Sequence, residues 1–151
     1  MQYWLMKSEP DVFSIEDLAK VASEPWDGIR NYQARNFIKT MKHGDQAFFY
    51  HSNCKVPGIV GTMKVVKEHY PDSTAFDKKS KYYDPKSHPD QPRWFMVDVK
   101  LDKIFKETIS LQDLKEEQSL QDMPLVRRGN RLSIMPLEAD HWKFILKMRK
   151  K

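Results

Sequence analysis

The stretch QAFFYHSNCKVPGIVGTMKVV, residues 46–66, decides what kind of fold this chain can adopt. Its two ends, QAFFYH at 46–51 and PGIVGTMKVV at 57–66, are aromatic and β-branched runs, the residue types that fit a pleated, half-buried surface. SNCKV between them is short and turn-forming, so the spacing predicts a hairpin with a longish loop. Gly58 and Gly61 interrupt the second strand. They mark a bulge, a sharp bend or the close approach of another group to the backbone.

Working outward, YWLMK at 3–7 reads as a short strand of the core sheet, ended by Ser8-Glu9-Pro10 because proline disfavours regular structure at the residue before it. RWFMVDVKL at 93–101 alternates in strand fashion, and RLSIM at 131–135 reads as a final strand. Helices fall between these groups. Ser14 and Asp17 have capping-box spacing ahead of Ile15, Leu18 and Val21, and Ser110 with Asp113 repeats the device. Ala34, Phe37, Ile38 and Met41 recur at helical spacing with Gly44 as a stop, and a last helix is expected from about Leu137 to Met148. Strands in runs without βαβ alternation predict an α+β fold with a curved or closed, mainly antiparallel sheet.

A chain of 151 residues is long enough for one domain with its own core. The net charge of +5 draws it towards phosphates but equally serves solubility. Cys54 is the only cysteine, so an internal disulfide and a cysteine-based zinc site are excluded, which favours a reducing compartment. No apolar run has the length of a membrane span and no secretion signal is evident, so a soluble, non-secreted protein is expected. Phosphate-cradling glycine loops, a nucleophile elbow and a zinc-protease helix motif are all missing. The five histidines are scattered, so neither a metal nor a cofactor is expected.

WDGIRNYQARN at 26–36 carries the functional signal. A nucleobase binder needs an aromatic face for stacking, amides to read the base edge and cations for phosphates. Trp26 supplies the face, Asn31, Gln33 and Asn53 the amides, and Arg30, Arg35, Arg127, Arg128 and Arg131 the charge. Arg35, Lys39 and Lys42 form a basic stripe that reads either as solvated charge or as phosphate contact. Asn31 is also a good helix N-cap, which by itself explains it. Trp4, Trp94 and Trp142 follow strand or helix patterns and are assigned to the core. The polar, proline-punctuated segment 70–92 reads as a functional or partly mobile loop that Tyr82 and Tyr83 pin down. Ser8 beside Lys7, with His51 as base, is the best catalytic set; without an oxyanion donor, turn and sheet-end roles outweigh it. The basic end KMRKK reads as a frayed terminus.

WLMKSEP at 4–10, WDGIRNYQARNF at 26–37, FYHSN at 49–53, PGIVG at 57–61, YYDP at 82–85, RWFMVDV at 93–99 and PLVRRGNRLSI at 124–134 resemble the EVE-domain family over nearly the whole chain. The resemblance implies a PUA-like fold, a small twisted β-barrel edged by helices and related to the YTH domains that read N6-methyladenine. It further implies a non-catalytic reader that flips 5-methylcytosine or 5-hydroxymethylcytosine of DNA into an aromatic pocket. Carried onto this chain, Trp26 is the pocket wall, with Tyr32 or Tyr50 as a second one. Lys7 and Ser8 end the first strand, and Tyr50, His51, Ser52 and Asn53 end its neighbour. Leu125 and Val126 form an apolar lid, and Arg127 and Arg128 face phosphate. Modified RNA such as tRNA, hydrolysis of a modified nucleoside, and protein docking through the 70–92 loop are the alternatives. A monomer is expected, cytoplasmic in a bacterium or nuclear in a eukaryote.

Overall fold

The computed structural model describes residues 1–149, so part of the KMRKK segment lies outside the described residues. The elements follow the order β1 (Tyr3–Ser8), α1 (Ile15–Ala19), β2 (Glu24–Pro25), α2 (Tyr32–Thr40), β3 (Gln46–His51), β4 (Gly58–Pro71), β5 (Phe95–Ser110), α3 (Leu111–Glu116), β6 (Ile134–Leu137) and α4 (Ala139–Met148). All six strands join one sheet in the order β2-β5-β4-β3-β1-β6. Every pairing is antiparallel except β1 with β3. The α+β, mainly antiparallel expectation holds.

The hairpin forms as expected, with β3 against β4 in antiparallel register. At Gly61 a Cβ would stand 2.2 Å from the Lys103 carbonyl oxygen, so close approach of the β5 backbone is what requires this glycine. The β4–β5 register shifts four times between Gly58 and Pro71, and such bulges bend a strand and increase its twist. Both strands outrun their sequence signal. Lys67, Glu68 and His69 in β4, and Lys103, Lys106 and Glu107 in β5, are exposed and break the apolar alternation while the backbone ladder continues.

Both faces of the sheet are covered, which explains why β1 and β3 read as continuous apolar runs. Trp4, Met6 and Phe49 point into one core with Ile15, Leu18, Ile38 and Trp26. Leu5, Phe48 and Tyr50 point into the other, with Leu114, Leu125, Trp142 and Ile145. Thus α1 and α2 close one face, and α3 and α4 the other. Trp4, Trp94 and Trp142 are buried as assigned. Trp4 donates its indole N–H to Asp45, a buried carboxylate that also accepts from the Gln2 and Lys42 amides.

Both predicted helix caps are present at Ser14 and Ser110. The last strand lies further along than expected, and Leu137 belongs to it rather than to α4. Pro136 is tolerated there because β6 is an edge strand with one side free of ladder bonds. Among the described residues no helix is long and apolar enough to cross a membrane.

Candidate functional site

A cavity of about 520 Å³ opens where the ends of β1 and β3 approach the segment leading out of β2. Residues 24–28 form one of its walls. Glu24 and Pro25 pair with β5, and the Trp26 amide continues the contact by donating to the Val97 carbonyl at 2.7 Å. Gly28 then donates its amide to Asp72 at 2.8 Å. Trp26 is held edge-on against Phe49, with centroids 5.4 Å apart, and is only 6% exposed, so it is both core residue and cavity lining.

The long loop completes the wall. Arg30 forms an ion pair with fully buried Asp72 at 3.1 Å and donates to the Tyr82 carbonyl from Nε and Nη2 and to Thr74 from Nη2. This fastens residues 72–82 to WDG and brings Tyr82 into the cavity. Gly28, at φ +78°, lies directly under the Tyr82 ring, where a Cβ would be 2.5 Å from Cζ. The Trp94 indole donates to Asp84 at 2.7 Å and ties down the far part of the loop. Tyr82 therefore pins the loop as expected, whereas Tyr83 stays exposed.

Of the residues assigned from sequence, Trp26, Lys7, Ser8, Ser52 and Arg131 line this cavity. The others do not, for reasons visible in each case. Arg30 spends its guanidinium on Asp72 and the loop, so it is a structural anchor rather than a phosphate ligand. The Asn31 carbonyl caps α2 by accepting from Ala34 at 2.9 Å, and Tyr32 stacks on Trp94 at the outer end of that helix. Tyr50 faces the opposite core, where burial pushes its hydroxyl pKa up to about 12. It reaches the site only indirectly, with the Lys7 ammonium 5.6 Å from its ring centre. Burial lowers the Lys7 pKa.

His51 accepts the Ile15 amide at Nε2, 3.1 Å away, and so holds the start of α1; burial pushes its pKa down. Asn53 adopts φ 51° in the β3–β4 loop and donates to Glu9. Leu125 is core on the other face, and Val126 packs against it, so they form no lid. Arg127 borders a separate depression beside Tyr3 and His141, and Arg128 is exposed. Arg35 donates to the Arg93 carbonyl and Lys39 covers Phe95, both on α2 and outside the cavity lining.

Sequence reasoning missed Phe13, Glu24, Asp27, Lys81 and Ser133, all of which line the cavity. Glu24 and Asp27 flank Trp26 in sequence, but no spacing rule marks two carboxylates around a tryptophan. Both carboxyls titrate above their usual range. Burial is the main cause, followed for Glu24 by the charges of Asp27 and Asp98, and for Asp27 by that of Asp72.

Asp122, Glu138 and His141 bring three potential metal-ligand atoms within 4.8 Å of one another. The His141 Nε2 meets Asp122 at 3.0 Å, while its buried Nδ1 has no partner among the described residues. A metal on Nε2 would require the proton on Nδ1, and a ligating imidazole normally donates that N–H to a neighbour. The arrangement suits a His–Asp hydrogen bond with Nδ1 unprotonated better than a metal site.

The sequence profile of the EVE domain matches residues 2–148. The chain belongs to the EVE-domain family. This EVE domain is 49% identical to thymocyte nuclear protein 1 of Danio rerio, in an alignment covering 96% of the chain and 71% of the relative. Among solved structures it matches a Pseudomonas syringae protein with a TM-score of 0.94 and 51% identity, covering 97% of this chain and 98% of the other. It also matches human THYN1 in complex with 5-methylcytosine-containing DNA, with a TM-score of 0.94, 48% identity, and 100% and 99% coverage.

Proposed function

We propose that this EVE domain reads modified bases in DNA, taking a flipped 5-methylcytosine or 5-hydroxymethylcytosine into the Trp26 cavity. The observation that carries the reading is the near-complete structural match to human THYN1, which was solved with 5-methylcytosine-containing DNA. The chemistry of the cavity agrees with it. Trp26, Phe13 and Tyr82 offer aromatic surface, and Lys7, Lys81 and Arg131 bring positive charge to the same walls for the flanking phosphates. Flipping costs a few kcal/mol of unstacking. Stacking at about 1–3 kcal/mol per base, together with edge hydrogen bonds, offsets that cost.

Hydrolysis is disfavoured by the same geometry. The Ser8 hydroxyl donates to the Phe13 carbonyl at 2.6 Å, and His51 spends Nε2 on the Ile15 amide, so neither is free to form a nucleophile–base pair with the other.

The test is equilibrium binding to matched duplexes carrying cytosine, 5-methylcytosine or 5-hydroxymethylcytosine at one fixed salt concentration, with the RNA versions alongside. Wild type should prefer a modified cytosine in DNA. Because Trp26 is buried, Trp26→Ala risks unfolding, at a cost of about 3–5 kcal/mol. Trp26→Phe is the safer variant and should reduce the preference. Equal wild-type affinity for all three duplexes would overturn the reading.

A further inference from the structure

Thymine is 5-methyluracil, so it carries at C5 the same methyl group as 5-methylcytosine. A slot that stacks a pyrimidine and accommodates its methyl group therefore admits both bases. They differ at position 4 and at N3: cytosine has an N4 amine donor beside a bare N3 acceptor, whereas thymine has an O4 acceptor beside an N3–H donor. A reader of methylated cytosine must therefore test position 4, N3 or both. The amides expected from sequence to read the base edge do not perform this test, since Asn31 caps α2, Asn53 is bonded to Glu9, and Gln33 is not among the cavity-lining residues.

We propose that Glu24 and Asp27 distinguish methylated cytosine from thymine, accepting hydrogen bonds from the N4 amine and repelling the O4 lone pairs. The inference rests on the base-reading function proposed above. Both carboxylates line the cavity on either side of Trp26, on a segment fixed to β5 through the Glu24–Val99 pairing and the Trp26 amide. Acceptor-only groups are what an exocyclic amine needs. Glu9, the other carboxylate in the lining, is already bonded to Asn53. No ion pair found among the described residues includes Glu24 or Asp27. Their acceptor capacity is thus not taken up by a cation. The charge of Asp98 adds to that of Glu24, which disfavours a thymine O4 further.

Replacing a carboxylate by its amide keeps one acceptor and adds an N–H₂ that can turn towards O4. The probes are DNA strands with cytosine, 5-methylcytosine or thymine at one position, each placed opposite an abasic site so that no partner base biases flipping. Affinities are measured at fixed salt for wild type, Glu24→Gln, Asp27→Asn and the double variant, with circular dichroism to confirm folding. Wild type should rank 5-methylcytosine above both other bases. In at least one variant the ratio of 5-methylcytosine to thymine affinity should fall by about tenfold or more, while the ratio of 5-methylcytosine to cytosine stays close to wild type. If wild type ranks 5-methylcytosine first and every folded variant keeps the thymine ratio, or if wild type itself accepts thymine as readily as 5-methylcytosine, the carboxylate inference is overturned and the reader function stands. If wild type ignores all three substitutions, the reader function fails and this inference with it.

Discussion

Gly28 shows how much of the site depends on single residues. It combines a φ of +78°, which residues with a side chain rarely adopt, with a Tyr82 ring lying where a Cβ would go. Gly28→Ala should therefore cost about 1–3 kcal/mol in denaturant unfolding and displace Tyr82, weakening base binding more than the loss of stability explains. A variant with unchanged midpoint and unchanged affinity would show that the ring contact is unimportant. His51 gives a pH prediction of definite sign. Its folded pKa lies below the ordinary histidine value because burial disfavours the charged ring, against the opposing charge of Glu16. The unfolded chain then binds the proton more readily, so the stabilisation is complete above about pH 6.5 and is lost as pH falls from there towards the folded-state pKa. Thermal unfolding between pH 7.5 and 5.5 should show this decline, and His51→Gln should flatten it.

At the scale of elements, the first part of the loop between β4 and β5 is fastened by one cation. Arg30 neutralises Asp72, whose side chain is fully buried, and at the same time holds the Tyr82 carbonyl. Removing one partner of a buried pair leaves an uncompensated charge, so Arg30→Leu should cost about 3 kcal/mol and speed amide exchange in residues 72–84. Arg30→Lys should recover part of the stability but not the loop protection, because an ammonium cannot reproduce the fork that reaches Asp72 and Tyr82 together. Slow exchange in the loop of Arg30→Leu would place its anchorage elsewhere, with the Trp94–Asp84 bond as the remaining candidate. The polar composition that made this segment read as a partly mobile loop is the composition needed to satisfy a long connection through hydrogen bonds rather than through apolar packing.

For the whole molecule, the excess positive charge matters where it borders the cavity. Affinity for DNA should fall linearly on logarithmic axes as salt rises, and Lys81→Ala and Arg131→Ala should each reduce the slope by about one if the residue contacts a phosphate. Neither change should alter the preference among bases, since phosphate contacts position the nucleic acid and base contacts specify it. Lys39→Ala, on the outer face of α2, should leave the slope near wild type; an equal loss there would extend the DNA footprint across that helix. Most local structure was legible in the chain alone. The β3–β4 hairpin, the caps at Ser14 and Ser110 and the buried face of α2 all follow from periodicity, turn chemistry and residue type over short spans. What the chain could not show was which residues meet. Parallel pairing of β1 with β3 and insertion of β6 beside β1 join segments far apart in sequence. Those pairings put Tyr50 and Leu125 on the far face and Arg131 at the cavity, and the Arg30 anchor brings Tyr82 from the long loop to the same cavity. Local signals set which way a side chain alternates along its own strand, but a pocket is made of side chains contributed by different elements. Only the long-range contacts of the folded chain bring Glu24, Asp27, Tyr82 and Arg131 to one cavity around Trp26.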